Sequence, residues 1–441
     1  MQPFPLGNLD TNDAIYLISP EARKRHLAIF GKSGVGKTTL LRNMIAWDMD
    51  CGLGVTVIDP HGSLINDLLD LVPRSRTNDV VYFSPHDSRA VPGINIMERV
   101  SAEHRPLVVS ALMSTLKNIW PDNWGPQTDL ILSSFAFALL EQPEPTTLLG
   151  LHKLLTRPEY RQHIAKSITD PVVRAFFDTY ENEWDDDKRA NASAPPLNKI
   201  AKLVTNPLLR DVVGQPASSF DFRWMMDSKK ILLCDLSKGA VGEDVSSLLG
   251  SLIVTKLFLA ALSRQDIPEA ERIPHFFYID EVHNFTYGID LASILSEARK
   301  YRLTLTVATQ TLNQLPEKTV ASIFGNCATV MSYRVSGEDA GALAQEFSMA
   351  INAAQLQDLP DYKLYVRTLV SIGENERAIN APSHPRRVTA YPPFTNDGNT
   401  AFRENVIRTS AERYCRQRIE IEKRITRFLS YYYGFQSDAT E

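Results

Sequence analysis

Cysteine is scarce in this chain, and positive charge is not in excess. Four cysteines, Cys51, Cys234, Cys327 and Cys415, are scattered over 441 residues with no CxxC pair. That spacing argues against a disulfide framework or a structural zinc site and fits a reducing compartment. Cys234 and Cys327 lie in apolar stretches and are expected to be buried thiols. The formal net charge of −5 excludes a protein that coats nucleic acid through bulk positive charge. Any such contact must come from a local basic surface, such as the lining of a pore. The N-terminus lacks the basic, apolar, small-residue succession of a signal peptide. The longest apolar run, Leu248–Leu262, is interrupted by Lys256 and is short for a bilayer, so a buried helix and no intrinsic membrane span are expected. Internal repeats and low-complexity tracts are missing as well.

What is present is the composition of a well-cored protein, 44% hydrophobic and 22% charged, and its length suggests two globular units. The first segment alternates strand, helix and strand: His26–Phe30 is apolar, Thr38–Asp50 has helical periodicity, and Gly54–Ile58 is β-rich. Four more apolar strand candidates follow at Ile231–Leu236, Phe276–Ile279, Leu303–Ala308 and Thr329–Tyr333. This βαβ alternation predicts an α/β fold with a parallel-dominated sheet. Between the halves, proline-punctuated helices are predicted at Leu107–Trp120, Thr128–Glu141, Leu148–Leu155, Pro171–Tyr180 and Leu197–Thr205. The acidic stretch Glu181–Ser193 reads as an exposed loop among them. Beyond Val335 come a helix, a Tyr-rich strand (Tyr362–Val370), a Pro-rich stretch (Ala381–Pro393) and one charged helix, Arg403–Leu429. The expected units are a nucleotide-binding domain in two parts, 1–99 and 223–395, an inserted all-α domain, 100–222, and a C-terminal helical tail, 396–441.

The chemistry starts with GKSGVGKT, Gly31 to Thr38, which fits GxxxxGK[ST] and lies between a strand and a helix, the context the motif requires. Gly31, Gly34 and Gly36 let the backbone of Lys32, Ser33 and Val35 turn inward around phosphates, helped by the helix N-terminus through Thr39. Lys37 reaches the β- and γ-phosphates of ATP and the Thr38 hydroxyl ligates Mg²⁺. A second signal is HFFYIDEVH, His275 to His283, in which apolar residues end in two adjacent carboxylates. At the carboxyl end of a buried strand Asp280 would hold Mg²⁺ and Glu281 would act as general base toward water. A second acid beside the first points to a hydrolase rather than a P-loop kinase.

In SEARKYRLTLTVATQ, Ser296 to Gln310, a helix ends in Arg299, Lys300 and Arg302, and an apolar strand then delivers Thr309 and Gln310 to the same sheet edge. Gln310 would sense the γ-phosphate. Arg299 reads either as a finger serving a neighbouring subunit or as a cation favoured at a helix C-terminus.

GKSGVGKT, IDPHG (Ile58–Gly62), WGPQ (Trp124–Gln127), ILLCDLSKG (Ile231–Gly239), YIDEVHNF (Tyr278–Phe285), ILSEARKYRLTLTVATQ and AERY (Ala411–Tyr414) together resemble the FtsK/HerA superfamily, and within it the conjugative coupling proteins of type IV secretion. The resemblance implies a RecA-like domain with an all-α domain at one mouth of a hexameric homo-oligomer and DNA in its pore. By position it implies an ATPase core of Lys37, Thr38, Asp280 and Glu281, with Arg299 as arginine finger and Gln310 as sensor. Coupling proteins usually begin with transmembrane helices, and HerA-like translocases with a β-barrel. Here the P-loop comes within about thirty residues, so a cytoplasmic motor is expected, recruited to the inner membrane or by a relaxosome, secretion-channel or nuclease partner. A protein-handling secretion ATPase and a nucleotide-dependent scaffold are the rival readings.

Four further positions stay open. Asp59 and His61 suit an outer coordination shell or an Asx-capped turn. Arg334 suits a nucleotide or subunit contact or a plain salt bridge, and Lys238 is a candidate pore contact. The mixed charges of the last helix suit a solvated or packing face.

Overall fold

Strands covered on both faces need uninterrupted apolar runs, and the runs read from the sequence become neighbours in one sheet. The computed structural model describes residues 1–122, 124–286, 289–372, 379–395 and 400–431. Eleven strands, β1 (Phe4–Leu9), β2 (Ile15–Ile18), β3 (His26–Phe30), β4 (Gly54–Asp59), β5 (Val80–Phe83), β6 (Ile231–Asp235), β7 (His275–Ile279), β8 (Leu303–Thr309), β9 (Cys327–Ser332), β10 (Lys363–Arg367) and β11 (Arg386–Ala390), pair in the order β2-β1-β11-β10-β9-β3-β8-β7-β4-β6-β5. From β9 to β5 every pairing is parallel. β10, β11, β1 and β2 extend the sheet antiparallel on the other side. The sheet is thus parallel-dominated and lies in an α/β fold, as expected.

Register decides where the chemistry sits. Phe30 stands opposite Thr309, Ile279 opposite Val307, and Ile58 opposite Ile279. The chain therefore leaves β3, β8, β7 and β4 at one common edge. Alternate residues of each buried strand face opposite cores. Phe276 and Tyr278 join the apolar cluster that holds Leu41, Met44 and Ile45 of the P-loop helix, Lys37–Asp50. Phe277 and Ile279 join the cluster on the other face, with Leu252 and Leu257 of the long helix Glu243–Leu262 and Leu112, Phe135 and Leu203 of the helical stretch. Between Arg105 and Val213 the described residues are helical with short connections and contain no strand.

Three expectations need correction. Glu181–Ser193 is not a loop: a π-turn, Thr179–Glu183, leads into the helix Asp186–Thr205. The acids are its start signal. Asp185 accepts from the Lys188 backbone N–H at 2.7 Å, and Asp186 and Asp187 meet the positive end of the helix dipole. Buried Ser193 pairs with the Tyr180 hydroxyl at 2.6 Å, and the helix runs on through Pro195 and Pro196. The closing helix is likewise not continuous. Thr400–Tyr414 and Arg418–Ser430 are separated by Cys415–Gln417, a strand paired antiparallel with Ala90–Pro92. Arg418 anchors the break, donating to the carbonyls of Pro85 and Asp87 at 3.1 and 2.8 Å and pairing with buried Asp211. Of the expected tail, 396–399 and 432–441 lie outside the described residues. Finally, with its 3-10 end the long apolar helix runs Glu243–Asp266, 24 residues, long and apolar enough to cross a bilayer by length and composition. It is nonetheless a core helix here, with 67% of its most apolar window buried inside the protein.

Beneath the functional edge lies a fully buried polar triad. Arg23 Nη2 donates to Asp48 Oδ2 at 2.6 Å and to the Tyr278 hydroxyl at 2.7 Å, and that hydroxyl donates to the same carboxylate. The guanidinium also stands over the Phe276 ring at 5.1 Å. The triad ties the last turn of the P-loop helix to the strand that ends in Asp280. Replacing one member leaves the other charge buried and unpaired, whereas replacing both with apolar groups need not. Arg23→Met is therefore expected to lower stability by about 3–5 kcal/mol, and Arg23→Met combined with Asp48→Leu to recover most of that loss. Urea unfolding midpoints of the two variants check this; equal loss in both would show that the charge pairing is not what the site contributes.

Candidate functional site

The loop between β3 and its helix can turn because its glycines adopt backbone angles that side chains resist. Gly34 has φ +81° and Gly36 φ +115°. A Cβ on Gly34 would meet nothing within 4 Å, so this part of the loop faces an open cleft. A Cβ on Gly31 would lie 2.7 Å from the Tyr333 side chain, which seats the loop on its neighbour strand. Lys32 N–H donates to the Arg334 carbonyl at 2.9 Å. Lys32 and Ser33 are exposed and Val35 is buried beneath them.

Lys37 opens the helix and is nearly buried. Its ammonium donates to the carbonyls of Gly31 and Lys32 at 2.6 and 3.1 Å and stands 3.7 Å from Glu281 Oε1. Burial pulls its pKa below the ordinary lysine value, against the opposing effect of Glu281 and Asp280. Thr38 Oγ1 donates to Asp280 Oδ2 at 3.3 Å, and Asp280 N–H is held by the Ile58 carbonyl of β4 at 3.2 Å. Burial, with Glu281 and Asp59 nearby, pushes the Asp280 carboxyl up to about 6. An acid raised in this way, with a hydroxyl oxygen converging on it, suits a hard divalent cation that takes oxygen ligands. The residues fit Mg²⁺.

Glu281 follows with φ 46° and ψ 57°, the left-handed region, where a side chain costs about 1–2 kcal/mol per residue. Such strain is found where the surrounding structure holds a functional group in place. Gln310 Nε2 donates to Glu281 Oε1 at 2.9 Å. The other oxygen, Oε2, is buried without a hydrogen-bond partner among the described residues, 3.4 Å from His283 Nδ1. Oε1 is held by Gln310, while Oε2 accepts no hydrogen bond among them and faces the His283 imidazole. Lys37, Thr38, Thr39, Asp280, Glu281 and Gln310 thus line one cleft of about 240 Å³ with the loop glycines. Larger hollows, one of about 610 Å³ beside Trp120 and Lys202, hold no such set of groups.

Arg299 is not among them. It is exposed in the turn Ala298–Tyr301 and stands close enough to Arg25 and His26 for its charge to help depress both, after burial. His26 begins β3, whereas the P-loop leaves that strand's other end, roughly 15 Å away at the usual strand rise. Arg299 cannot serve its own chain's cleft.

The open positions sort themselves by geometry. Asp59 accepts from the N–H groups of His61, Leu64 and Ile65, so it caps the next helix, while His61 is exposed on the cleft wall. Arg334 pairs with Asp361 at 2.7 Å and Lys238 with Glu243 at 2.6 Å. The sequence reading missed His283 at Glu281, although the residue stood in the motif. It also missed Tyr362 on the cleft wall and the seat beneath the turn that follows Glu281. A Cβ on Gly250 would lie 2.3 Å from the Phe285 ring, so only glycine lets the long helix approach the turn that follows Glu281.

A family model described as the type IV secretion-system coupling protein DNA-binding domain matches residues 14–357. No curated protein sequence matches the chain. Among solved structures, the plasmid coupling protein TrwB with ADP and Mg²⁺ is similar at a TM-score of 0.61 and 16% identity, over 88% of this chain and 90% of that one. Unbound TrwB without its first segment gives 0.57 and 17%, over 87% and 90%. VirB4 of Thermoanaerobacter pseudethanolicus gives 0.57 and 12%, over 91% and 98%. At these identities the likeness is one of fold.

Gly250→Ala should force Phe285 aside and with it the strained turn, leaving the P-loop untouched. The expected outcome is nucleotide affinity within about threefold of the parent with turnover reduced at least tenfold, roughly 1.4 kcal/mol or more of barrier, read from titration calorimetry beside phosphate release. Unchanged turnover would show that Phe285 does not position Glu281.

Proposed function

Because the chain belongs to the type IV secretion-system coupling protein DNA-binding domain family, we propose that it is a motor ATPase that binds Mg-ATP and spends its hydrolysis on moving DNA. The observation that carries the reading is the grouping of Lys37, Glu281 and Gln310 at one sheet edge around the P-loop. A binding site alone does not require a buried carboxylate held in a strained backbone with one oxygen accepting no hydrogen bond among the described residues.

The loop amides from Gly31 to Thr39 wrap the phosphates, and Lys37 leaves its carbonyl partners to pair with the β- and γ-oxygens. Thr38 and Asp280 would hold Mg²⁺, which supplies neutralisation of the phosphate charge when bound. Glu281 Oε2 takes a proton from water as its oxygen bonds to the γ-phosphorus and the bond to the β–γ bridging oxygen breaks, leaving ADP and phosphate. Gln310 keeps the carboxylate aimed, so Glu281 loses no orientation while it waits.

Arg299 is proposed as the finger for a neighbouring subunit. Its exposure and its place at the amino edge of the sheet support action in trans, and the assembly proposed is a hexameric ring of identical chains. The helical segment 100–222, seated on the sheet through a shared apolar core, would form the substrate-facing domain, DNA would pass through the pore, and the motor would work in the cytoplasm. Recruitment to the inner membrane through a relaxosome, a secretion channel or a nuclease partner completes the proposal.

Two outcomes test it. Glu281→Gln should retain ATP affinity and lose turnover, since an amide cannot accept the water's proton. Arg299→Ala should do the same, with a loss of about 4 kcal/mol in barrier terms for a fully used finger. Mixed rings of the two variants should regain activity, because an intact Glu281 then faces an intact Arg299. Rings that co-assemble and stay inactive would place Arg299 outside the reaction. Duplex or single-stranded DNA should stimulate turnover, and binding should weaken by orders of magnitude between roughly 50 and 200 mM salt if several phosphates are contacted. Turnover indifferent to DNA and a flat salt response would remove DNA as the cargo.

A further inference from the structure

We infer that Tyr362 is the platform on which the base of the bound nucleotide stacks, an inference that rests on the nucleotide-binding reading above. Sheet order supplies the first argument. The strand that feeds the P-loop, β3, has β8 and β7 on one side and β9 and β10 on the other. Gln310, Asp280 and Glu281 leave the first side, so the reacting γ-phosphate end of the nucleotide belongs there. The base end must depart toward the other side, where Tyr362 immediately precedes β10.

The residue is fastened to the phosphate loop itself. Its N–H donates to the Val35 carbonyl at 3.0 Å, and its carbonyl accepts from Ala390 N–H at 2.9 Å. Its ring lies over Gly36, where a Cβ would come within 3.1 Å of Cδ1. The same side chain lines the cleft that Lys37 and Thr38 line.

Neither backbone nor burial accounts for an aromatic here. Tyr362 has φ +64°, a turn position at which glycine or asparagine is comfortable and a bulky side chain is strained. It is also 54% exposed, so the ring gains little from the core. A half-exposed aromatic face, rigidly tied beside a phosphate cradle, has the chemistry to receive a flat heterocycle. Stacking uses the π-face that every base has, so the site should accept adenine and guanine with little discrimination.

The test separates base from phosphate by titrating the full chain with Mg-ADP and with Mg-pyrophosphate, which share the diphosphate and differ in the nucleoside. Tyr362→Asn and Tyr362→Gly remove the ring and suit the backbone, so both variants should melt no lower than the parent. Each is expected to raise the Kd for ADP about tenfold or more, with GDP following, and to leave pyrophosphate within about twofold. Tyr362→Phe and Tyr362→Trp should keep the parent's ADP affinity. Equal losses for ADP and pyrophosphate would show that the ring props the P-loop instead, and an unchanged ADP affinity in the Asn variant would remove the platform altogether; either result overturns the inference while leaving the P-loop reading intact. A parent chain that binds neither ligand would overturn the nucleotide reading, and this inference with it.

Discussion

Parallel register is the constraint on which everything else in this molecule depends. Because Phe30 pairs with Thr309 and Ile279 with both Val307 and Ile58, four loops emerge side by side from one sheet edge. A shift of one residue would turn each strand's side chains to the opposite core. It would also move Gln310 or Asp280 one position along the strand from the P-loop. The hydrogen bonds of Gln310 to Glu281 at 2.9 Å, across 29 positions, and of Thr38 to Asp280 at 3.3 Å, across 242, are the local readout of that register.

Rigid support under the edge makes strain at its surface affordable. The Arg23–Asp48–Tyr278 triad clamps the P-loop helix to β7 from below, and Phe285, seated on Gly250, clamps the turn beyond it from the other face. Between these two fixed points the backbone of Glu281 is forced into left-handed geometry. The same division recurs across the loop, where Tyr362 holds its own positive φ through hydrogen bonds to Val35 and Ala390. Both strained side chains line the cleft, and both are anchored by backbone outside it.

Sequence made most of the parallel half of the sheet legible because a strand buried on both faces must be written as an apolar run; the four-residue β5 at its edge was not read. It made the P-loop legible because phosphate wrapping demands glycines at set spacing. The antiparallel extension was less legible: β1 and β2 are short, one of them interrupted by Gly7, and Ile15 and Leu17 of β2 are exposed at the sheet's edge. Acids misled where they serve as a helix start, since Asp185–Asp187 have the composition of a solvated loop until Asp185 is seen capping Lys188. The break at Cys415–Gln417 is set by Arg418 reaching Asp211, a contact across two hundred positions that no local periodicity encodes. In the site, Lys37, Thr38, Asp280 and Glu281 were readable from motif chemistry. Tyr362 was not, because nothing in the pattern around it signals which face of the P-loop it will meet.

The position of Arg299 carries a consequence for how such a site must be assembled. Its own P-loop lies at the far end of β3, and its guanidinium makes no hydrogen bond or ion pair among the described residues that would explain a cation there. It stands beside another cation, Arg25, which like-charge repulsion disfavours. A surface that gathers unpaired positive charge becomes favourable once an anion is brought to it. On the proposed ring that anion is the triphosphate held by the carboxyl edge of the next chain. Each site would then be written half in one subunit's carboxyl edge and half in its neighbour's amino edge. The parallel sheet, by separating those two edges, would make a single chain incomplete as a catalyst.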